Sequence, residues 1–160
     1  MTKTILAALI AAQALVAASP ALAVEENNVS NGLTAAGAPL GLHGVDPVAF
    51  VTLGNRIEGS AKFTAVHDNV AYYFASQENL DAFKAAPGRF TPQNGGYCTF
   101  GVSVGKKFDG DPKYAAVQNG KLYVFLNEDI LKAFQKDPAG TIAKADANWK
   151  RIRSTAAADL

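Results

Sequence analysis

Apolar and polar positions change period several times along this chain, and the changes mark its elements. From Lys62 to His67 and again from Val70 to Ala75 they alternate with period two, the pattern of half-buried strands. Asp68-Asn69 between the two runs predicts a hairpin turn. The same arrangement returns at Lys113–Gln118 and Lys121–Leu126 around Asn119-Gly120, a strong two-residue hairpin signal. Each pair of runs is followed by a helical pattern. Ser76 is placed to cap a helix that runs through Phe83 to Ala86 and stops at Pro87-Gly88. Asn127 is placed to cap Glu128 to Asp137, with acids in the first turn and Lys136 in the last. Ile142, Ala145, Trp149 and Ile152 then recur at helical spacing, predicting a closing helix at about residues 141–153.

The duplication of pattern extends to identity. Residues 44–87 and 95–138 align without a gap at a shift of 51, and 13 of the 44 positions are identical. Ordinary composition would give roughly three. Gly59 meets Gly110, Tyr72 meets Tyr123, Phe74 meets Phe125, Phe83 meets Phe134 and Pro87 meets Pro138. The expected fold is therefore α+β: two tandem hairpin–helix repeats packed as one domain with an approximate two-fold axis, plus the closing helix. A unit of about 50 residues is marginal alone, so the copies are expected to share a core, with a site natural at their junction.

The first residues add a compartment. Lys3 precedes an uncharged apolar run from Ile5 to Ala18, and Ala21-Leu22-Ala23 has the small-x-small form of a cleavage site. Residues 1–23 are thus expected to be a signal peptide for export to the periplasm, and the apolar run is short for a bilayer span of about 20 residues. Residues 24–42, rich in Asn, Gly and Ala, read as a flexible lead-in, residues 43–153 as the folded domain, and residues 154–160 as a frayed tail. Without Lys3 the chain carries 14 basic and 14 acidic side chains. A balanced charge gives no electrostatic footprint for nucleic acid or an anionic membrane.

Candidate chemistry lies where the two copies differ. Cys98, the only cysteine, stands opposite Pro47 in the ungapped alignment, Tyr97 opposite Asp46, and His67 opposite Gln118. A single cysteine makes no internal bridge. It serves as a metal thiolate, a reactive thiol, an intermolecular bridge, or a buried small hydrophobe. Thr99, Val102 and Val104 beside it read as strand-like, and Gly95-Gly96 would let backbone amides approach a bound group. His67, at a strand end, and His43, before a Gly44-Val45-Asp46-Pro47 turn, supply imidazole. One thiol with two imidazoles meets the ligand count of a trigonal site for copper, or less favourably zinc. No GxSxG, Gly-rich phosphate loop, HExxH or CxxC is present.

The runs HGVDPVAF and VHDNVAYYFASQENLDAFKAAPGRFTPQNGGYC resemble the YHS domain family, and most closely its exported branch, with a G-x-DPVA-F start, a GGYC centre and an A-x-A-x-W finish. The resemblance covers about His43 to Trp149 and implies a heavy-metal-binding scaffold. The cysteines of the short metal-binding form fall at Ala49, Ala75 and Asn79, so that thiol set is absent from this chain. The first expectation is then a periplasmic, non-enzymatic protein holding copper through Cys98, His67 and His43. A thiol-redox protein acting through Cys98, and a structural or partner-binding module docking an unidentified periplasmic protein, are the alternatives.

Overall fold

The computed structural model describes residues 25–160, a mixed α+β arrangement; the expected signal peptide lies outside the described residues. Strands β1 (Ser60–His67) and β2 (Val70–Phe74) form one antiparallel hairpin, and β3 (Asp111–Gln118) and β4 (Lys121–Phe125) another. Both turns place their two central residues at positive φ, 48° and 63° at Asp68-Asn69, 53° and 72° at Asn119-Gly120. This is the type I′ geometry whose twist matches the flanking strands. The two ladders share one register. His67 pairs with Val70 and Ala65 with Tyr72, while Gln118 pairs with Lys121 and Ala116 with Tyr123. Each hairpin also carries its irregularity at the same place, between Ser60 and Thr64 and between Asp111 and Ala115.

Glycine explains the tight entry to each hairpin. A Cβ at Gly59 would overlap the Tyr73 backbone, and one at Gly110 would overlap the Gly96 carbonyl and the Val124 side chain. Ser76 caps α2 (Gln77–Ala85) through a bond from the Asn79 amide at 3.2 Å, and Asn127 caps α5 (Glu128–Lys136) through the Ile130 amide at 3.0 Å. Phe83 and Phe134 drop from these helices onto Phe74 and Phe125, with ring centroids 4.9 and 4.5 Å apart.

The hairpins join through β4. Its Leu122 and Val124 enter the cluster of Val48, Phe50, Tyr72, Phe74 and Phe83, while its Tyr123 and Phe125 face Phe134 and Cys98. One strand therefore serves two cores. The closing helix is α6 (Pro138–Ile152), which begins at Pro138 rather than near residue 141 because the Asp137 side chain caps it through the Gly140 amide at 2.9 Å.

Several expectations need correction. The helix capped by Ser76 does end before Pro87-Gly88, at Ala85, but a second one follows at once: Pro87 takes the N1 position of a short helix, α3 (Pro87–Phe90), where its missing N–H costs nothing. Asp46-Pro47 is likewise a helix start rather than a simple turn, opening α1 (Pro47–Leu53). The residues after Cys98 form α4 (Thr99–Ser103) instead of a strand, with Thr99 and Val102 buried and Val104 exposed just beyond its end. The lead-in is bonded to the core rather than loose. Val29 bridges Gly41, the Ser30 amide donates to the Leu40 carbonyl, and the Asn28 amide donates to the Gly95 carbonyl at 2.8 Å. The tail forms a 3-10 turn at Ala157–Asp159, and Ala157 packs on Tyr97, Val102 and Ala145.

Candidate functional site

Two buried helix N-caps organise the chemistry of the molecule. Asp46 is 0 % exposed and caps α1, accepting bonds at one oxygen from the amides of Val48 (2.8 Å) and Ala49 (3.0 Å). Its other oxygen accepts from the Ala75 amide (2.8 Å) and the Asn79 side-chain amide (2.7 Å). Cys98, 1 % exposed, caps α4. Its sulfur accepts from the Gly101 amide at 3.5 Å, and the backbone amides of Leu126 and Phe100 hydrogen-bond to it as well.

The two cradles share a backbone plan. The Asp46 amide donates to the Ile57 carbonyl and the Cys98 amide to the Phe108 carbonyl, both at 2.9 Å. Before each cap the backbone turns through positive φ, at Leu42, His43 and Gly44 and at Asn94, Gly95 and Gly96. The structural partner of Cys98 is thus Asp46, not Pro47. Chain passes from an offset of 52 at the caps to 51 at Gly54 and Gly105, both left-handed, because α4 is shorter than α1. A gapless alignment is blind to a one-residue slip between two short helices.

Burial pushes the Cys98 thiol up, outweighing the three amides that favour the thiolate. Its surroundings are apolar: Tyr123, Phe125 and Phe134, with Phe100, Ile130 and Ile142 at the edge. A neutral, sealed thiol packs and caps; it is a poor nucleophile, since the thiolate is the reactive form. The Gly95-Gly96 pair serves neighbours rather than a ligand at its amides. A Cβ at Gly95 would come within 2.9 Å of the Trp149 ring, and the carbonyls of both glycines hold Asn28.

The histidines lie elsewhere. His43 Nε2 sits 3.3 Å from Asp109 Oδ1, an oxygen that also accepts from Asn28 at 2.8 Å. His67 Nε2 sits 3.3 Å from Asp68 Oδ2 and packs its ring edge against Phe83. The structure therefore distributes Cys98, His67 and His43 over three environments. Among the described residues no group of three or more His, Cys, Asp or Glu side chains is placed to hold a metal ion.

His67 does line a cleft, of about 220 Å³, which sequence reasoning missed. Its walls come from the lead-in (Glu25, Asn27), the first hairpin turn (His67, Asp68), the bend of Thr91 to Gly95, and α6 (Asp146, Trp149). Asn94 belongs to this wall; it is 6 % exposed and its Oδ1 has no hydrogen-bond partner among the described residues. A buried amide oxygen without a donor costs about 1–3 kcal/mol, and this one is sealed from the cleft, so the cost belongs to the fold. Behind the cleft, the fully buried Lys107 ammonium bonds Glu26 (2.9 Å) and the carbonyls of Arg153 (3.1 Å) and Thr155 (2.7 Å). It lies 5.1 Å from the Tyr97 ring centre and 5.2 Å from that of Trp149. This one side chain fastens both ends of the described chain to the wall of the cleft. No signal in the sequence marked it, since lysine is ordinarily exposed.

Comparisons of the chain with protein-family models, with curated proteins and with solved structures return no match. No described helix is long and apolar enough to cross a membrane.

Proposed function

We propose that this chain is an exported, non-enzymatic binding protein of YHS-like architecture, two hairpin–helix repeats about an approximate two-fold axis, that takes a small ligand in the cleft between Asp68, Asn94 and Trp149. The cleft itself carries the reading, because the lead-in, the first hairpin turn, the bend of Thr91 to Gly95 and α6 converge on it. The shared hairpin register and the matched cradles support the repeat. The YHS resemblance gains support from the same quarter. Ala49, Ala75 and Asn79, where it places thiols, converge as donors on the single carboxylate of Asp46. In this reading the hydrogen-bonded carboxylate occupies what in the short family members is a metal site, and ligand binding has its place at the junction instead.

An NMR screen of a fragment library together with Cu(I) and Zn(II), on 15N-labelled protein, tests this. Shifts that cluster on His67, Asn94 and the Trp149 indole are the expected result. Shifts scattered over the surface, or none, overturn it. Tight Cu(I) binding abolished by both Cys98→Ala and His67→Ala would restore the thiol–imidazole copper site in its place.

A further inference from the structure

We propose that the Asn31-Gly32 step is a site of spontaneous modification, where the asparagine passes through a cyclic imide to aspartate and isoaspartate. The chemistry needs only water. The Gly32 backbone nitrogen attacks Cγ of Asn31 and forms a new C–N bond. The side-chain nitrogen leaves as ammonia, carrying the proton given up by the Gly32 amide, and a five-membered succinimide results. Water then opens either carbonyl of the ring, so one asparagine and one water give one acidic residue and one ammonia. Glycine in the second position favours the step, because no side chain hinders the attacking nitrogen.

The sequence holds three such steps, Asn31-Gly32, Asn94-Gly95 and Asn119-Gly120, and the structure ranks them. Ring closure requires the Cα–Cβ bond of the asparagine to eclipse the bond from its carbonyl carbon to the next nitrogen. A left-handed residue holds these two bonds nearly opposite. Asn94 is left-handed, at φ 53° and ψ 38°. It is also buried, and a Cβ at its neighbour Gly95 would crowd Trp149 and the Glu26 carbonyl. Asn119 is exposed but left-handed as well, at φ 53°, and its I′ turn sets ψ near about +30°. The pairing of Gln118 with Lys121 holds that turn in place.

Asn31 differs in each respect. It is exposed and lies outside the left-handed region. Neither its side-chain amide nor the Gly32 amide has a hydrogen-bond partner among the described residues. A Cβ at Gly32 would meet nothing within 4 Å, so the ring and the incoming water have room. The step sits between anchors it leaves alone, since the Ser30 amide bonds the Leu40 carbonyl and the Thr34 amide bonds that of Ala38. The modified chain is therefore expected to stay folded with one more negative charge on this loop. In the isoaspartyl form it also gains one backbone carbon there.

Peptide mapping by mass spectrometry, on protein held in warm, mildly alkaline buffer, tests this. In the native state Asn31 is expected to convert at least about tenfold faster than Asn94 or Asn119, the factor that roughly 1.4 kcal/mol of hindered ring closure imposes. In urea, where the turns are lost, the three rates are expected to converge. Asn31→Gln, whose longer side chain closes a six-membered ring far more slowly, is expected to remove the fast product. Native Asn94 or Asn119 converting as fast as Asn31 overturns the proposal. So does an Asn31 that reacts in urea yet stays intact in the folded protein, or a fast product that persists in Asn31→Gln.

Discussion

The Asp46 and Cys98 cradles are built from the same backbone and filled with different chemistry. In both, a cap side chain beneath a short helix receives two amides from the helix start and one from the residue after the hairpin, Ala75 or Leu126. The first adds a fourth donor, the side chain of Asn79. At the corresponding place in the second stands Ile130, packed on the Cys98 cluster. The fourth donor goes with the charge. A buried carboxylate needs its lone pairs satisfied, whereas a neutral thiol is a weak acceptor and sits well among aromatic rings. The comparison teaches that Cys98 is the apolar solution to a capping problem that Asp46 solves with charge.

The largest effect is expected from breaking the charged member. Asp46→Ala strips the acceptor from four donors, two of them buried and two half-buried, and should destabilise by roughly 3–5 kcal/mol, read as a lower urea midpoint. Cys98→Ala, by contrast, removes a weak acceptor and a small volume and should cost only about 1–2 kcal/mol. Equal losses would erase the distinction drawn between the cradles.

Lys107→Met leaves Glu26 and two carbonyls without their ammonium, and should cost roughly 2–4 kcal/mol. It should also raise hydrogen exchange at the amides of Glu26 and Thr155, because the clamp and not the core is what opens. Exchange unchanged at those amides would mean the chain ends are held by something else.

A smaller effect converts one cradle toward the other. Cys98→Asp alone buries a carboxylate with three donors; adding Ile130→Asn supplies the fourth. The pair is expected to be more stable than the sum of its single changes by about 1 kcal/mol, the net worth of an ordinary hydrogen bond, read in a double-mutant cycle. Additive losses would show that the surrounding rings, not the donor count, decide what fills the site.

The smallest effects are in pH. The raised Cys98 pKa means the folded state favours the neutral thiol. Its contribution to stability is complete below the thiol's unfolded pKa and is lost as pH rises toward the folded value. Alkylation by iodoacetamide should accordingly be slow in the native protein and fast in denaturant. Glu26 has the opposite sign. Burial raises its pKa, but the bonds to Lys107 and Tyr97 outweigh that and hold it below the ordinary carboxylate range. The stability it adds is present above its unfolded pKa and falls away as pH drops through the folded one. Lys107→Met should flatten that acid limb.

Local chemistry was legible in the sequence wherever one residue decides one local geometry. Asp68-Asn69 and Asn119-Gly120 adopt the I′ turns their residues favour, and Ser76 and Asn127 cap the helices that follow. Period-two alternation placed both hairpins, although β2 and β4 are buried along nearly their whole length. What stayed hidden has a common physical cause. Whether Cys98 ends a strand or caps a helix depends on Leu126 and Phe108, which reach it only across the fold. The cleft takes its walls from Glu25, His67, Asn94 and Trp149, residues up to 124 positions apart, and Lys107 is buried only because Glu26 and the Arg153 and Thr155 carbonyls meet around it. Spacing along a chain carries periodicity and turn chemistry, so the sequence by itself determined the elements, their caps and the match between the two hairpins. Which side chains are sealed, which donors converge on them and where a cavity remains are properties of long-range packing, and these the tertiary structure decided.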